Sequence, residues 1–133
     1  MPRTLRQQVT LPGTPHEVYE ALMDSAKHSA FTGEPATISR EVGGQFTASD
    51  GYITGVNLEL VPDTRIVQQW HASDWSDEAQ SRATFALTAV PAGTRLTFTH
   101  SGVPDDVYED IRSGWIEYYW DPLKAWLQSQ TKT

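Results

Sequence analysis

The 133-residue chain contains no cysteine, which excludes a disulfide framework, a thiolate zinc site and a cysteine nucleophile. Positive charge is also scarce: 10 Lys and Arg against 17 Asp and Glu leave a net charge of −7 at pH 7. That balance argues against nucleic-acid or anionic-membrane partners, which both select for basic patches. No apolar run approaches the roughly 20 residues that span a bilayer, and the N-terminus lacks the apolar segment of a secretory signal. Internal repeats and low-complexity tracts are missing as well. The expectation is one cytoplasmic domain over residues 3–129. Surface scaling gives a folded chain of this size roughly 7,000 Å² of exposed area out of about 21,600 Å² when extended, enough burial for a single core.

What is present is a succession of short elements punctuated by Gly and Pro. Residues 5–11 alternate, with Leu5, Val9 and Leu11 on one face of a strand. Thr14-Pro15-His16-Glu17 combines an N-cap, a first-turn proline and the returning acid of a capping box. A helix with Val18/Leu22 and Tyr19/Met23 pairs follows, then a second short helix over 25–31 that Gly33 ends. From 36 to 101 the pattern is β throughout. Asp50-Gly51 is a two-residue hairpin signal, and a turn of that length sets Phe46 opposite Gly55, its ring covering bare backbone. Pro62-Asp63-Thr64 makes the next turn, and a four-residue loop there is needed to fix the sheet face of Trp70. Pro91-Ala92-Gly93 makes the last. A four-residue loop at that point sets Phe85 and Leu87 on one face with Leu96, Phe98 and His100, which burial favours.

Residues 104–129 read as one long helix. At 100° per residue, Val107, Ile111, Trp115, Tyr118, Pro122 and Trp126 share a stripe. Ile116, Leu123 and Leu127 form a second apolar patch beside it, with Trp120 close by, suited to burial on two sides or to a homodimer. Pro122 inside the helix costs about 3 kcal/mol unless the backbone bends. The sum is an α+β fold: a curved antiparallel sheet of about seven strands, two short helices after the first strand, and a long C-terminal helix packed across the sheet. A curved sheet under one helix either encloses a hollow for a small apolar ligand or fills it with aromatic rings. The pattern leaves both open.

The segments TPHEVYEALMD, GGQFTASDGYITGVNLELVPDTRIVQQWHASDW, GTRLTFTHSGVPDD and GWIEYYWDPLKAWL resemble the START-like, helix-grip superfamily. Within it the chain is similar to the family named for the activator of the heat-shock protein 90 ATPase. The most specific pieces are Gly44 with Phe46, Asp50-Gly51 before Gly55, Val61-Pro62 leading to Trp70, and Gly114-Trp115 with Tyr118-Tyr119. The resemblance covers the chain from about Arg3 to Leu127 and is to the C-terminal domain of the namesake. That protein carries an additional N-terminal domain, which the resemblance implies is important for gripping the chaperone. It implies a helix-grip fold, and either a small hydrophobic ligand or a heat-shock chaperone as partner, with a role in the stress response.

Among candidate chemical groups, His16 reads as a solvated residue in the first turn of a helix, and His28 has no evident partner. His71 points opposite to Trp70. His100 shares a face with Leu96 and Phe98, either to bond a ligand's polar end or to be satisfied by the core. Asp74-Trp75-Ser76-Asp77-Glu78 reads as a solvated acidic loop, with Trp75 either exposed or folded back on the sheet. There is no HExxH, calcium loop or nucleophile elbow, so neither metal nor cofactor is expected. The favoured reading is non-enzymatic binding of an apolar ligand by Phe46, Trp70, Phe85, Phe98, Trp115 and Tyr118, with His100 and Tyr119 orienting a polar end. A co-chaperone-like interaction domain and a cyclase or dehydratase with His100 as base are the alternatives.

Overall fold

The computed structural model describes residues 3–48, 51–75 and 81–131. Its accessible surface is 7064 Å². The elements are β1 (Arg3–Leu11), α1 (Pro15–Met23), α2 (Ser25–Thr32), β2 (Thr37–Ile38), β3 (Gln45–Ala48), β4 (Ile53–Val61), β5 (Arg65–Ala72), β6 (Ser81–Val90) and β7 (Gly93–Val103). A 3-10 turn (Asp105–Val107) then leads into α3 (Tyr108–Trp115), a π-helical turn (Ile116–Trp120) and α4 (Asp121–Thr131). The strands form one antiparallel sheet in the order β1-β7-β6-β5-β4-β3-β2. Pairing β1 with β7 brings the two ends of the β region together and leaves α1 and α2 to cross from one edge of the sheet to the other.

Local chemistry sets the helix boundaries as expected. The Thr14 hydroxyl accepts from the Glu17 amide at 3.1 Å, and the Glu17 carboxylate accepts from the Thr14 amide at 2.8 Å, completing the capping box. Gly33 closes α2 at φ +78°, a conformation open to glycine at no steric cost.

The hairpin register also follows the pattern. Phe46 pairs with Gly55, and a side chain on Gly55 would collide with the Phe46 ring and the Gln69 carbonyl. Of the turn itself, Ser49 and Asp50 lie outside the described residues, as do Ala79 and Gln80 ahead of β6. One loop length differs from expectation, and a second, left open by the sequence, is odd. Pro91-Ala92 is a two-residue connection, with Val90 paired to Gly93, and it has the same even parity as a four-residue loop. Phe85 and Leu87 therefore face Phe98 and Leu96 as required.

The Pro62 turn is three residues long, from Val61 to Arg65, with Asp63 at φ +65°. An odd loop would invert the face of β5 relative to β4. A bulge between Asn57 and Glu59 inserts Leu58 and restores the alternation. Trp70 consequently pairs with Gly55 and joins Phe85 and Phe98 on the concave face.

The C-terminal helix departs from the single stripe drawn by a 100° wheel. Trp115 is buried, but Tyr118 is 63% exposed, while Trp120, Leu123 and Leu127 are each 3% exposed or less. The π-helical turn is the cause. The Asp121 amide bonds the Ile116 carbonyl five residues back, so one extra residue is wound into the turn and the following face rotates. Pro122, which has no amide to donate, comes directly after this wider turn. The patch of Leu123 and Leu127 assigned to a possible dimer contact is thus the core-facing side of α4, and only Ile116 of that group stays exposed.

Candidate functional site

The concave face presents a row of rings from successive strands: Trp70 on β5, Phe85 on β6, and Phe98 with His100 on β7. Trp115 and Trp120 descend on them from the helix. Trp115 lies 4.4 Å from Phe98, 5.6 Å from Trp70 and 5.9 Å from Phe85, between ring centroids. Trp75 folds back onto Trp70 at 5.4 Å and is buried, the second of the two placements its sequence left open. The rest of its acidic loop, residues 76–78, lies outside the described residues.

His100 is fully buried and fully bonded. The Trp115 indole donates to Nδ1 at 3.1 Å, which makes Nε2 the protonated nitrogen. Nε2 donates to the Ser81 hydroxyl at 2.8 Å, and that hydroxyl donates to the Trp70 carbonyl at 2.6 Å. Each donor in this relay has one acceptor, and burial lowers the His100 pKa to about 3. A neutral imidazole with both nitrogens committed holds the helix to the sheet, and it has no free position for a ligand or a substrate proton.

Two concavities flank the aromatic row. The inner one lies between sheet, α2 and helix and has a volume of about 20 Å³, room for roughly one water molecule. Phe46, Trp70, Phe85, Trp115 and Tyr119 line it together with His28 and Gln68. His28 is 5% exposed, packs against Phe31 at 5.1 Å and Tyr119 at 5.3 Å, and its Nδ1 has no hydrogen-bond partner among the described residues. Burial lowers its pKa to about 4. The Tyr119 phenol is pushed well above its ordinary value, also by burial.

The outer concavity is an open groove of about 600 Å³ between the end of α2, the start of β4 and the helix. Its walls are Tyr52, Ile53, Trp70, Ile111, Trp115, Tyr118 and Tyr119, with Gly114 flattening the helix side. Trp70, Trp115 and Tyr119 belong to both concavities, so three rings separate a nearly filled core from a ligand-sized groove.

Of the eight residues singled out in the sequence, Phe46 and Phe85 line the inner cavity and Tyr118 the groove. Trp70, Trp115 and Tyr119 line both, and Phe98 and His100 line neither. Sequence reasoning missed His28, Gln68, Tyr52 and Ile53. For His28 the signal was its unexplained position beside Phe31 in a short helix. For Tyr52 and Ile53 it was their place just beyond the Asp50-Gly51 turn, at the sheet's open end.

A curved seven-stranded antiparallel sheet clasping a long C-terminal helix, with two short helices after the first strand, defines a helix-grip domain. Residues 12–128 match the family described as activator of Hsp90 ATPase homolog 1-like protein, and the chain belongs to that family. It is 32% identical over 132 residues to the activator of 90 kDa heat shock protein ATPase homolog of Dictyostelium discoideum, covering 98% of this chain and 34% of the relative. It is 31% identical over 111 residues to the human homolog 1, covering 84% and 33%. The chain thus spans about a third of the length of these relatives. Among solved structures, an HSP90 activator from Plasmodium falciparum superposes with a TM-score of 0.84 at 24% identity, covering 96% of each chain. The solution structure of the Aha1 dimer from Colwellia psychrerythraea gives 0.82 at 17% identity, covering 98% and 99%. These two likenesses concern the fold.

Proposed function

We propose that this domain is a non-enzymatic binding module whose ligand occupies the open groove beside the C-terminal helix, with its apolar body against Trp115, Tyr118 and Tyr119. The observation that carries this reading is the contrast in volume. The inner cavity holds about 20 Å³ and the groove about 600 Å³, so a ligand of drug size fits outside the ring layer and not beneath it. The commitment of both His100 nitrogens favours binding over acid–base catalysis.

The test is a fluorescence titration with the neutral probe N-phenyl-1-naphthylamine against wild type, Tyr118→Ala and Gly114→Leu. Tyr118 is exposed, and a Cβ at Gly114 meets only the Tyr118 ring edge at 3.8 Å; melting curves verify that both variants fold. Saturable binding that weakens about tenfold or more in each variant, as for loss of an aromatic anchor, supports the groove. Binding unchanged in both variants overturns it.

A second reading is favoured by family membership: relatives at 31–32% identity are named activators of the Hsp90 ATPase, and this domain contacts such a chaperone. A chaperone ATPase assay with saturating protein checks it, and a rate unaltered by the domain counts against it.

A further inference from the structure

The groove has a charge pattern as well as a shape. Its exposed ring faces come from Tyr52 and Tyr118, 40% and 63% exposed, above the indole of Trp115. The charged side chains at its rim are Glu34 and Asp110, both exposed, and no Lys or Arg is among the described residues lining it. A third carboxylate stands just behind the wall, where the Tyr52 hydroxyl donates to Asp74 at 2.7 Å. The Tyr52 phenol is pushed up to about 12 by burial, by that hydrogen bond, and by the negative charge of Asp74 and Asp110. Asp110 on α3 and Asp74 after β5 therefore both act on the same ring.

Aromatic faces carry negative charge density and attract cations, an effect strengthened where carboxylates stand nearby and water is partly excluded. A neutral ligand without hydrogen-bond donors gains nothing from the rim carboxylates, and an anionic one is repelled by them. We infer that the groove selects a small organic cation, an alkyl- or arylammonium whose charged head lies between Glu34, Asp110 and the tyrosine rings, with its apolar body on Trp115. This rests on the groove being the binding site.

Benzyltrimethylammonium and its neutral isostere neopentylbenzene have nearly the same shape, so the difference between them isolates charge. Both are titrated into the full chain at low salt, followed by intrinsic tryptophan fluorescence and calorimetry. The same titrations are made with the Glu34→Gln/Asp110→Asn double variant, whose folding is verified by its melting curve. The expected result is tenfold or greater preference for the cation, falling about fivefold to tenfold in the double variant and in 0.5 M salt, with binding of the neutral isostere unchanged. Equal binding of the two probes, or a cation preference that survives neutralisation of both carboxylates, overturns the cation inference and leaves the groove standing. Failure of both probes to bind overturns the groove reading and this inference together.

Discussion

Trp115 and Trp120, five residues apart on one helix, stack with ring centroids at 5.5 Å and planes 18° apart. In an uninterrupted α-helix, positions five apart point about 140° away from each other. The π-helical turn of Ile116–Trp120 brings them to one side. Gln7 on β1 ties α3 and the end of this turn to the sheet: its side-chain oxygen accepts from the Trp120 indole at 2.6 Å, and its amide donates to the Arg112 carbonyl of α3 at 3.0 Å. The helix is thereby wound to suit the sheet.

Deleting Glu117, an exposed residue inside the turn, removes the extra residue and leaves Trp115 and Trp120 four apart, about 40° from each other in a regular α-helix. Trp120, Leu123 and Leu127 then stay on the core side, with the wide turn replaced by an α-helical one. Urea unfolding followed by far-UV circular dichroism is expected to show a cooperatively folded chain that has lost no more than about 0.5–3 kcal/mol. An unfolded deletion variant shows that the core-facing phase of α4 does not come from the one extra residue.

Ser81→Ala leaves the His100 Nε2 hydrogen and the Trp70 carbonyl without their shared partner. The expected loss is about 1–3 kcal/mol, the cost of a buried polar group left unpaired, measured by the same unfolding experiment. In wild type, nitrogen-15 correlation spectra are expected to show a neutral His100 ring with the proton on Nε2 down to about pH 4, since burial holds its pKa near 3. An imidazolium signature at pH 5 contradicts the relay.

His28 makes stability depend on pH with a definite sign. Its folded pKa of about 4 lies below the ordinary value of 6.5, so the unfolded chain binds the proton first. Stability is therefore fully present above about pH 6.5 and declines as pH falls towards 4, by about 3 kcal/mol in total at 1.4 kcal/mol per unit. The facing groups are Phe31 and Tyr119, with Gln68 across the cavity, and none carries charge in this range. His28→Leu is expected to flatten the decline between pH 6.5 and 4 in urea midpoints. The same slope in the variant assigns the acid sensitivity elsewhere.

Gly114→Ala is expected to stabilise the protein by about 0.5–1 kcal/mol, because alanine restrains the unfolded backbone and suits a helix interior. The added methyl meets Tyr118 at an ordinary contact distance of 3.8 Å. A lower melting temperature in this variant shows that the groove floor requires a bare backbone.

The candidate site was legible as a set of rings but not as a place. Period-two alternation gathers Phe46, Trp70, Phe85 and Phe98 on one sheet face, yet says nothing of how far the helix sinks onto them. Phe98 was absorbed into the core and His100 into a hydrogen-bond relay. Tyr118 came to the groove because the π turn ends the first stripe at Trp115. His28 stayed hidden because a short helix of mixed polarity has no clear apolar face.

What the sequence by itself determined is what local stereochemistry controls. The Thr14/Glu17 cap, the Gly33 stop, the Phe46–Gly55 register and the alternating strands depend on neighbours a few residues away, and each formed as its residues dictate. Tertiary structure decided everything that depends on parity and phase over longer spans. The odd Pro62 turn is acceptable only because the bulge at Leu58 cancels it. The phase of α4 follows from burying Trp120, Leu123 and Leu127 together against the sheet. Packing is collective: the helix adopts the winding that fills the shared volume, and the space left over is a groove outside the rings.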